Sequence, residues 1–166
     1  MADSEIRETT EIPETAVTAG AIAPAPTSAD LIRRVLAGCH TVAVVGASAN
    51  PDRPSYHVME TLIEMGHRMI PVNPGQAGKT IHGQTVYGSL ADIPVPVDMV
   101  DVFRASDAVA GVVDEALALP QRPKAIWLQL GVIDEGASRR AEAAGIAVVR
   151  NRCPAIEYPF LGRLQP

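Results

Sequence analysis

The sequence predicts an α/β fold: a doubly wound domain whose mostly parallel five-stranded sheet carries helices on both faces. Two observations predict it. Short apolar runs rich in β-branched residues recur along the chain, and between them lie stretches whose apolar residues fall at helical spacing. The connections are short, and strand–helix alternation with short connections builds a parallel sheet covered on both sides.

The elements follow in order. Thr27 or Ser28 caps a short helix through Leu31, Ile32, Val35 and Leu36 that stops at Gly38. TVAVVG, residues 41–46, is nearly continuous in apolar residues, as a strand buried on both faces must be. Ser55 is the expected cap of the next helix, which carries Val58, Met59, Leu62 and Ile63 and ends at Gly66. RMIPV, residues 68–72, is the second strand, though the proline inside it counts against a strand. DMVDVF (98–103), KAIWLQL (124–130) and IAVVR (146–150) supply the other strands. Between them come a helix capped by Ser106 that carries Val109, Val112, Val113, Leu117 and Leu119, and a helix from about Asp134 to Ala144 ended by Gly145. This is a Rossmann-like arrangement, and no internal repeat interrupts it.

Composition bounds the function. A chain of 166 residues has room for one domain with a core, expected over residues 28–166. Residues 1–27, rich in Thr, Ala, Pro and Glu without a sustained period, read as a disordered acidic tail. Residues 1–30 hold Asp3, Glu5, Glu8, Glu11, Glu14 and Asp30 against Arg7 alone, which accounts for the whole net charge of −5. The body is therefore near neutral, without the basic stripe that nucleic acid demands. No run reaches the roughly 20 apolar residues of a membrane span, and no secretory signal is expected. With Cys39 and Cys153 as the only cysteines, a cytoplasmic, reducing location is the expectation.

One stretch imitates a phosphate-binding loop. NPGQAGKT, residues 73–80, matches G-x-x-x-x-G-K-[ST] at Gly78, Lys79 and Thr80 but has Asn73 where the first glycine belongs. It follows the second strand, and the glycine-rich IHGQTVYG after it is not helical, so the helix N-terminus that a P-loop needs is missing. The turn after the first strand, GASANPDRPS (46–55), is the better phosphate site. It is stiffened by Pro51 and Pro54, offers Ser48, Asn50, Arg53 and Ser55, and runs into a helix N-terminus. At the end of the second strand a NAD site calls for an acidic residue, whereas this chain has Asn73 and then Lys79. That favours a phosphorylated ribose, in NADP or coenzyme A, and a second domain for hydride transfer has no chain left to build it.

VVGASANPDRPSYHVMETLIEMGHRMIPVNP, IHGQTVYGSLADIP, VDMVDVFR, IWLQLGV, AEAAGIAVV and NRC, in that order, resemble the small stand-alone CoA-binding proteins of the succinyl-CoA synthetase α-subunit type. The resemblance covers residues 41–157. It implies a Rossmann-type domain that binds coenzyme A, or an acyl-CoA, across the strand ends. The matching positions are Gly46, Ala47, Ser48, Arg53 and Ser55 in the first loop, and Val72, Asn73 and Pro74 after the second strand, with Lys79 as a phosphate partner. Phe103 and Arg104 close the third strand, and Gln129 and Gly131 end the fourth. Asn151 departs from the family, which commonly has an acid before Arg-Cys.

Other residues have plainer readings. Trp127 lies in an apolar strand and belongs to the core. His40, His57, His67 and His82 show no metal spacing. Cys153 is expected to be an inert thiol, with thiol exchange helped by Arg152 as the sharper alternative. Larger relatives of the resembled family add ligase domains with a phosphorylated histidine, and those have no counterpart here. A module that binds CoA without catalysis of its own is therefore the leading expectation. An NAD(P)-binding protein, an acyl-CoA-utilising enzyme and a scaffold with a vestigial site are the alternatives, and a homodimer is permitted.

Overall fold

A computed structural model describes residues 27–162. The expected tail over 1–27 lies outside the described residues but for Thr27, whose hydroxyl accepts from the Arg150 N–H at 3.0 Å. Ser28, not Thr27, caps α1 (Ala29–Gly38) by accepting from the Leu31 N–H. The chain then enters β1 (Thr41–Val45), runs through α2 (Pro54–Glu64) and returns along β2 (Arg68–Val72). A hairpin of β3 (Thr80–Ile81) and β4 (Gln84–Thr85) follows, the one strand pair that periodicity does not reveal. Next come β5 (Met99–Val102), α3 (Val109–Ala118), β6 (Ala125–Leu128), α4 (Glu135–Ala143), β7 (Ala147–Val149) and the short α5 (Pro154–Glu157).

The main sheet has the order β2-β1-β5-β6-β7, and each of its pairings is parallel. Pro71 falls on β2, at an edge of that sheet, where a missing N–H is tolerated. Alternation along the strands divides the core in two. Val42, Val44, Met99 and Trp127 pack with α1 and α2 on one face; Ala43, Val100, Ile126 and Leu128 pack with α3 and α4 on the other. Trp127 is fully buried and its Nε1 donates to the Arg152 carbonyl, in keeping with the core reading. The doubly wound expectation holds, and no helix among the described residues is long and apolar enough to cross a membrane.

Two caps were misread. α2 starts one residue before Ser55: Pro54 takes the first helical position, where its fixed φ and absent N–H are harmless, and no side chain caps the helix. Ser106 lies in a single 3₁₀ turn ahead of α3 and not at its cap; its hydroxyl accepts from the Ile133 N–H at 2.9 Å, tying the loop after β6 to the loop after β5. Asp134, by contrast, caps α4 through the Ala137 N–H. On α2, Leu62 is fully buried, while Ile63 keeps 36% of its surface exposed. Leu62→Ala is therefore expected to cost about 2–5 kcal/mol and Ile63→Ala well under half of that, as measured by equilibrium urea unfolding.

Candidate functional site

The chain winds outward from β1 to β2 and then crosses to the other side of β1 to form β5. The carboxyl ends of β1 and β5 therefore flank the point where the winding reverses, and an open α/β sheet has its crevice there. A cavity of about 620 Å³ opens at this place. Its lining is polar at Ser48, Arg53 and Ser55, around the N-terminus of α2, and at Gln129. It is apolar at Phe103, Leu130, Val132 and Ile156, and Cys153 also lies on it.

The first loop is held open by its own side chains. Gly46 has φ +87, and a Cβ there would meet the Phe103 carbonyl oxygen at 2.4 Å and Arg104 Cδ at 2.9 Å. Only glycine permits both that backbone conformation and that approach of β1 to β5. Beyond it, Ser48 Oγ accepts from the Asn50 N–H and Asn50 Oδ1 from the Asp52 N–H, so the loop is shaped by side chain–backbone turns. Ser55 is buried, and its Oγ accepts from the Ser48 N–H at 3.2 Å, closing the loop back onto α2. Thus Ser55 serves the loop. In the uncapped first turn of α2, Pro54 has no N–H and the Tyr56 N–H donates to the Arg53 carbonyl at 3.0 Å, which leaves the Ser55 N–H and the helix dipole beside the cavity.

The loop after β2 meets the first loop through Asn73. Its Nδ2 donates to the Ala47 carbonyl at 2.8 Å and its Oδ1 accepts from the Gly75 N–H at 2.9 Å, so both ends of the amide are spent inside the protein. Val72 is buried, and its carbonyl accepts from the Gly46 and Ala47 N–H groups. Ala47 is buried beneath the cavity rather than on its wall, Pro74 and Lys79 are exposed on the neighbouring loop, and Arg104 and Gly131 lie outside the lining. The structure thus gathers Gly46, Ser48, Arg53, Ser55, Phe103 and Gln129 around one space and leaves the other anticipated positions beside it. Sequence reasoning passed over Leu130, Val132 and Ile156, and above all Asp101. An acid inside the apolar run DMVDVF was the available signal for the last.

Asp101 is fully buried on β5, between β1 and β6. Gln129 Nε2 donates to its Oδ1 at 2.7 Å, while its Oδ2 has no hydrogen-bond partner. Burial pushes the carboxyl up to about 7 against the downward pull of the Gln129 hydrogen bond. Burial likewise raises the Cys153 thiol, aided by the charges of Asp101 and Glu157 and opposed by backbone N–H groups of Ile156 and Ala155. The expected help from Arg152 is not found: Arg152 Nε pairs with Glu157 at 3.5 Å, and Cys153 is held as a protonated thiol. Asn151, at φ +50, takes a conformation that asparagine tolerates well, and its Oδ1 accepts from the Gly131 N–H at 2.9 Å. The place that the resembled family gives to an acid is thus filled by an acceptor that ties β6 to β7. His67 is buried against the Tyr158 hydroxyl, and no group of His, Cys, Asp or Glu among the described residues is arranged to hold a metal.

The sheet order and the crevice define a single doubly wound α/β domain with its candidate ligand space at the switch point. The chain belongs to the CoA-binding domain family, whose model matches residues 40–159. It is 34% identical over 130 residues to the uncharacterized protein YneT of Bacillus subtilis (strain 168), covering 76% of this chain and 91% of that one. A stretch of 79 residues is 38% identical to the alpha subunit of acetate–CoA ligase [ADP-forming] I of Pyrococcus furiosus, 45% of this chain but only 17% of that subunit. Among solved structures, the protein ID.343 from Thermus thermophilus is 38% identical with a TM-score of 0.76, covering 81% of this chain and 98% of its own.

Two outcomes test this geometry. Gly46→Ala is expected to lose at least about 2 kcal/mol in urea unfolding, since strain at positive φ adds to contact with a backbone carbonyl. The Asp101 carboxyl titrates at about 7 in the folded chain against an ordinary 3.8, so the native state holds this proton more tightly. Its contribution to stability is then largest at low pH and is lost as pH rises from about 4 to 7. Asp101→Asn is expected to stabilise the fold at pH 8 by on the order of a few kcal/mol, with the gain shrinking toward pH 4, read from unfolding curves at each pH.

Proposed function

We propose that this protein binds coenzyme A or an acyl-CoA in the switch-point cavity and does so without turnover of its own. The observation that carries the reading is the mixed lining of the cavity: Ser48, Arg53 and the N-terminus of α2 together with an apolar trough of Phe103, Leu130, Val132 and Ile156. A ligand with a diphosphate joined to a long, weakly polar arm matches both. The diphosphate accepts from the first turn of α2 and from Arg53, and the arm runs past Phe103 and Gln129 toward Leu130, Val132 and Ile156. The adenosine end lies over Gly46, where the Asn73–Ala47 hydrogen bond holds the neighbouring loop alongside, and exposed Lys79 meets the ribose phosphate. Family membership supports the same ligand class.

Binding without turnover agrees with the state of the groups at the floor. The Cys153 thiol is raised by burial, and the Asp101 carboxyl is engaged by Gln129, so neither presents an activated nucleophile.

Thermal unfolding with CoA, acetyl-CoA, NADP, NAD and ATP tests the reading. A ligand at a hundred times its Kd adds about 2.7 kcal/mol, which moves the midpoint by several degrees. The expected result is a shift with the CoA compounds alone; a shift with NAD or NADP instead refutes it. Arg53→Ala is expected to weaken CoA about tenfold, whereas Lys79→Ala, at an exposed position, weakens it less and chiefly at low salt. Titration calorimetry at two ionic strengths separates the two effects.

A further inference from the structure

Asp101 is the only buried carboxylate among the described residues, and it stands on the strand beside the switch point. Nothing in the packing of the sheet calls for it. Its neighbours along β5, Val100 and Val102, are apolar, and Val44 and Trp127 flank it in register on the same face. Its single partner is Gln129, which follows β6 and forms part of the cavity floor. Gln129 Nε2 donates to Asp101 Oδ1 at 2.7 Å, so the end of the Gln129 amide that faces Asp101 is the NH₂, as the ionised carboxylate requires. The opposite end, Oε1, has no hydrogen-bond partner among the described residues, and Gln129 is on the cavity lining.

We propose that Asp101 is a positioning residue for ligand recognition: it turns the Gln129 amide so that Oε1 faces the cavity and accepts an N–H from the ligand's arm. The inference rests on the coenzyme A reading and extends it. The pantetheine arm carries secondary amides, whose N–H groups need an acceptor once they leave water. The rest of the trough, Phe103, Leu130, Val132 and Ile156, offers no side chain that accepts, and the thiol of Cys153 beside them is only a weak acceptor. A bare hydrocarbon arm would leave Oε1 unpaired, so the floor selects a ligand with an amide at this depth. Without Asp101 the Gln129 amide is free to present either end, and part of that selection is lost.

Titration calorimetry with CoA and with adenosine 3′,5′-bisphosphate, which keeps the adenosine and its 3′-phosphate but lacks the arm and one phosphate of the diphosphate, tests the assignment. Gln129→Met removes the acceptor at nearly constant shape, and Asp101→Leu removes the anchor. Each is expected to weaken CoA about 5- to 10-fold and to leave the bisphosphate unchanged. The double variant is expected to be no worse than Gln129→Met alone, because both act through one contact. Asp101→Asn keeps an oxygen that accepts from Gln129 Nε2 and is expected to bind CoA within about twofold of wild type. The proposal is overturned if Asp101→Leu binds CoA as wild type does, if Asp101→Asn is as weak as Asp101→Leu, or if the two single losses add. A loss that extends equally to the bisphosphate overturns it as well, since the damage then concerns the whole site. If wild type binds CoA and Asp101→Leu does not differ, the coenzyme A reading stands and only the role of Asp101 goes. If wild type binds neither nucleotide, both fall.

Discussion

The close approach of β1 and β5 at Gly46 is the constraint on which the rest of the site depends. The Phe103 carbonyl lies where a Cβ would sit, so the two strand ends can draw together only because residue 46 has no side chain. From that contact the chain leaves in opposite directions, and a crevice opens between the departing loops. Each later tie is referred to it. Asn73 reaches Ala47, the residue next to Gly46, and Ser55 reaches the Ser48 N–H, two residues further on. Widening the contact would move the loop after β2 and the N-terminus of α2 together.

A second constraint works against stability. An apolar residue in place of Asp101 would suit a position flanked by Val44 and Trp127, and a buried polar atom with no partner costs about 1–3 kcal/mol. Strain and unmet polar groups collect where a fold has been shaped for something besides its own packing. The floor of this cavity fits that pattern: the hydrogen-bonded pair of Asp101 and Gln129 is the polar insertion in the face that Trp127 otherwise fills.

How much of this was legible depends on whether the signal was local. Short apolar runs rich in β-branched residues marked all five strands of the main sheet, because burial on both faces leaves a composition that needs no context. β2 matches its run, whereas the other four strands came out shorter than theirs, since residues such as Phe103, Gln129 and Arg150 continue the pattern but leave the ladder to turn. Ser55 and Ser106 failed as caps for a different reason. A hydroxyl near a helix start serves the first free N–H that the tertiary fold brings to it, which was that of Ser48 for one and Ile133 for the other. The hairpin of β3 and β4 has two residues in each strand, too few for any period to show. At the site, the positions on one loop were readable together. The apolar far wall was not, because Leu130, Val132 and Ile156 come from elements whose adjacency exists only after folding.

The decoy at residues 73–80 shows why position outweighs pattern in phosphate recognition. A P-loop works because its glycines let consecutive N–H groups converge and because a helix dipole stands behind them. Here the lysine of the pattern precedes β3 and the threonine opens it: the Lys79 carbonyl accepts from the Val86 N–H, Thr80 pairs with Thr85, and the segment is committed to the hairpin. The loop after β1 has few glycines, yet its Ser48 and Asn50 turns and its prolines at 51 and 54 restrict the backbone before any ligand arrives. A loop already held in one conformation loses little entropy on binding, which offsets the smaller number of N–H groups it can aim. On the proposed reading, rigidity from proline and side-chain turns replaces the flexibility that glycine gives a P-loop, and the helix N-terminus behind the loop supplies the same electrostatic end.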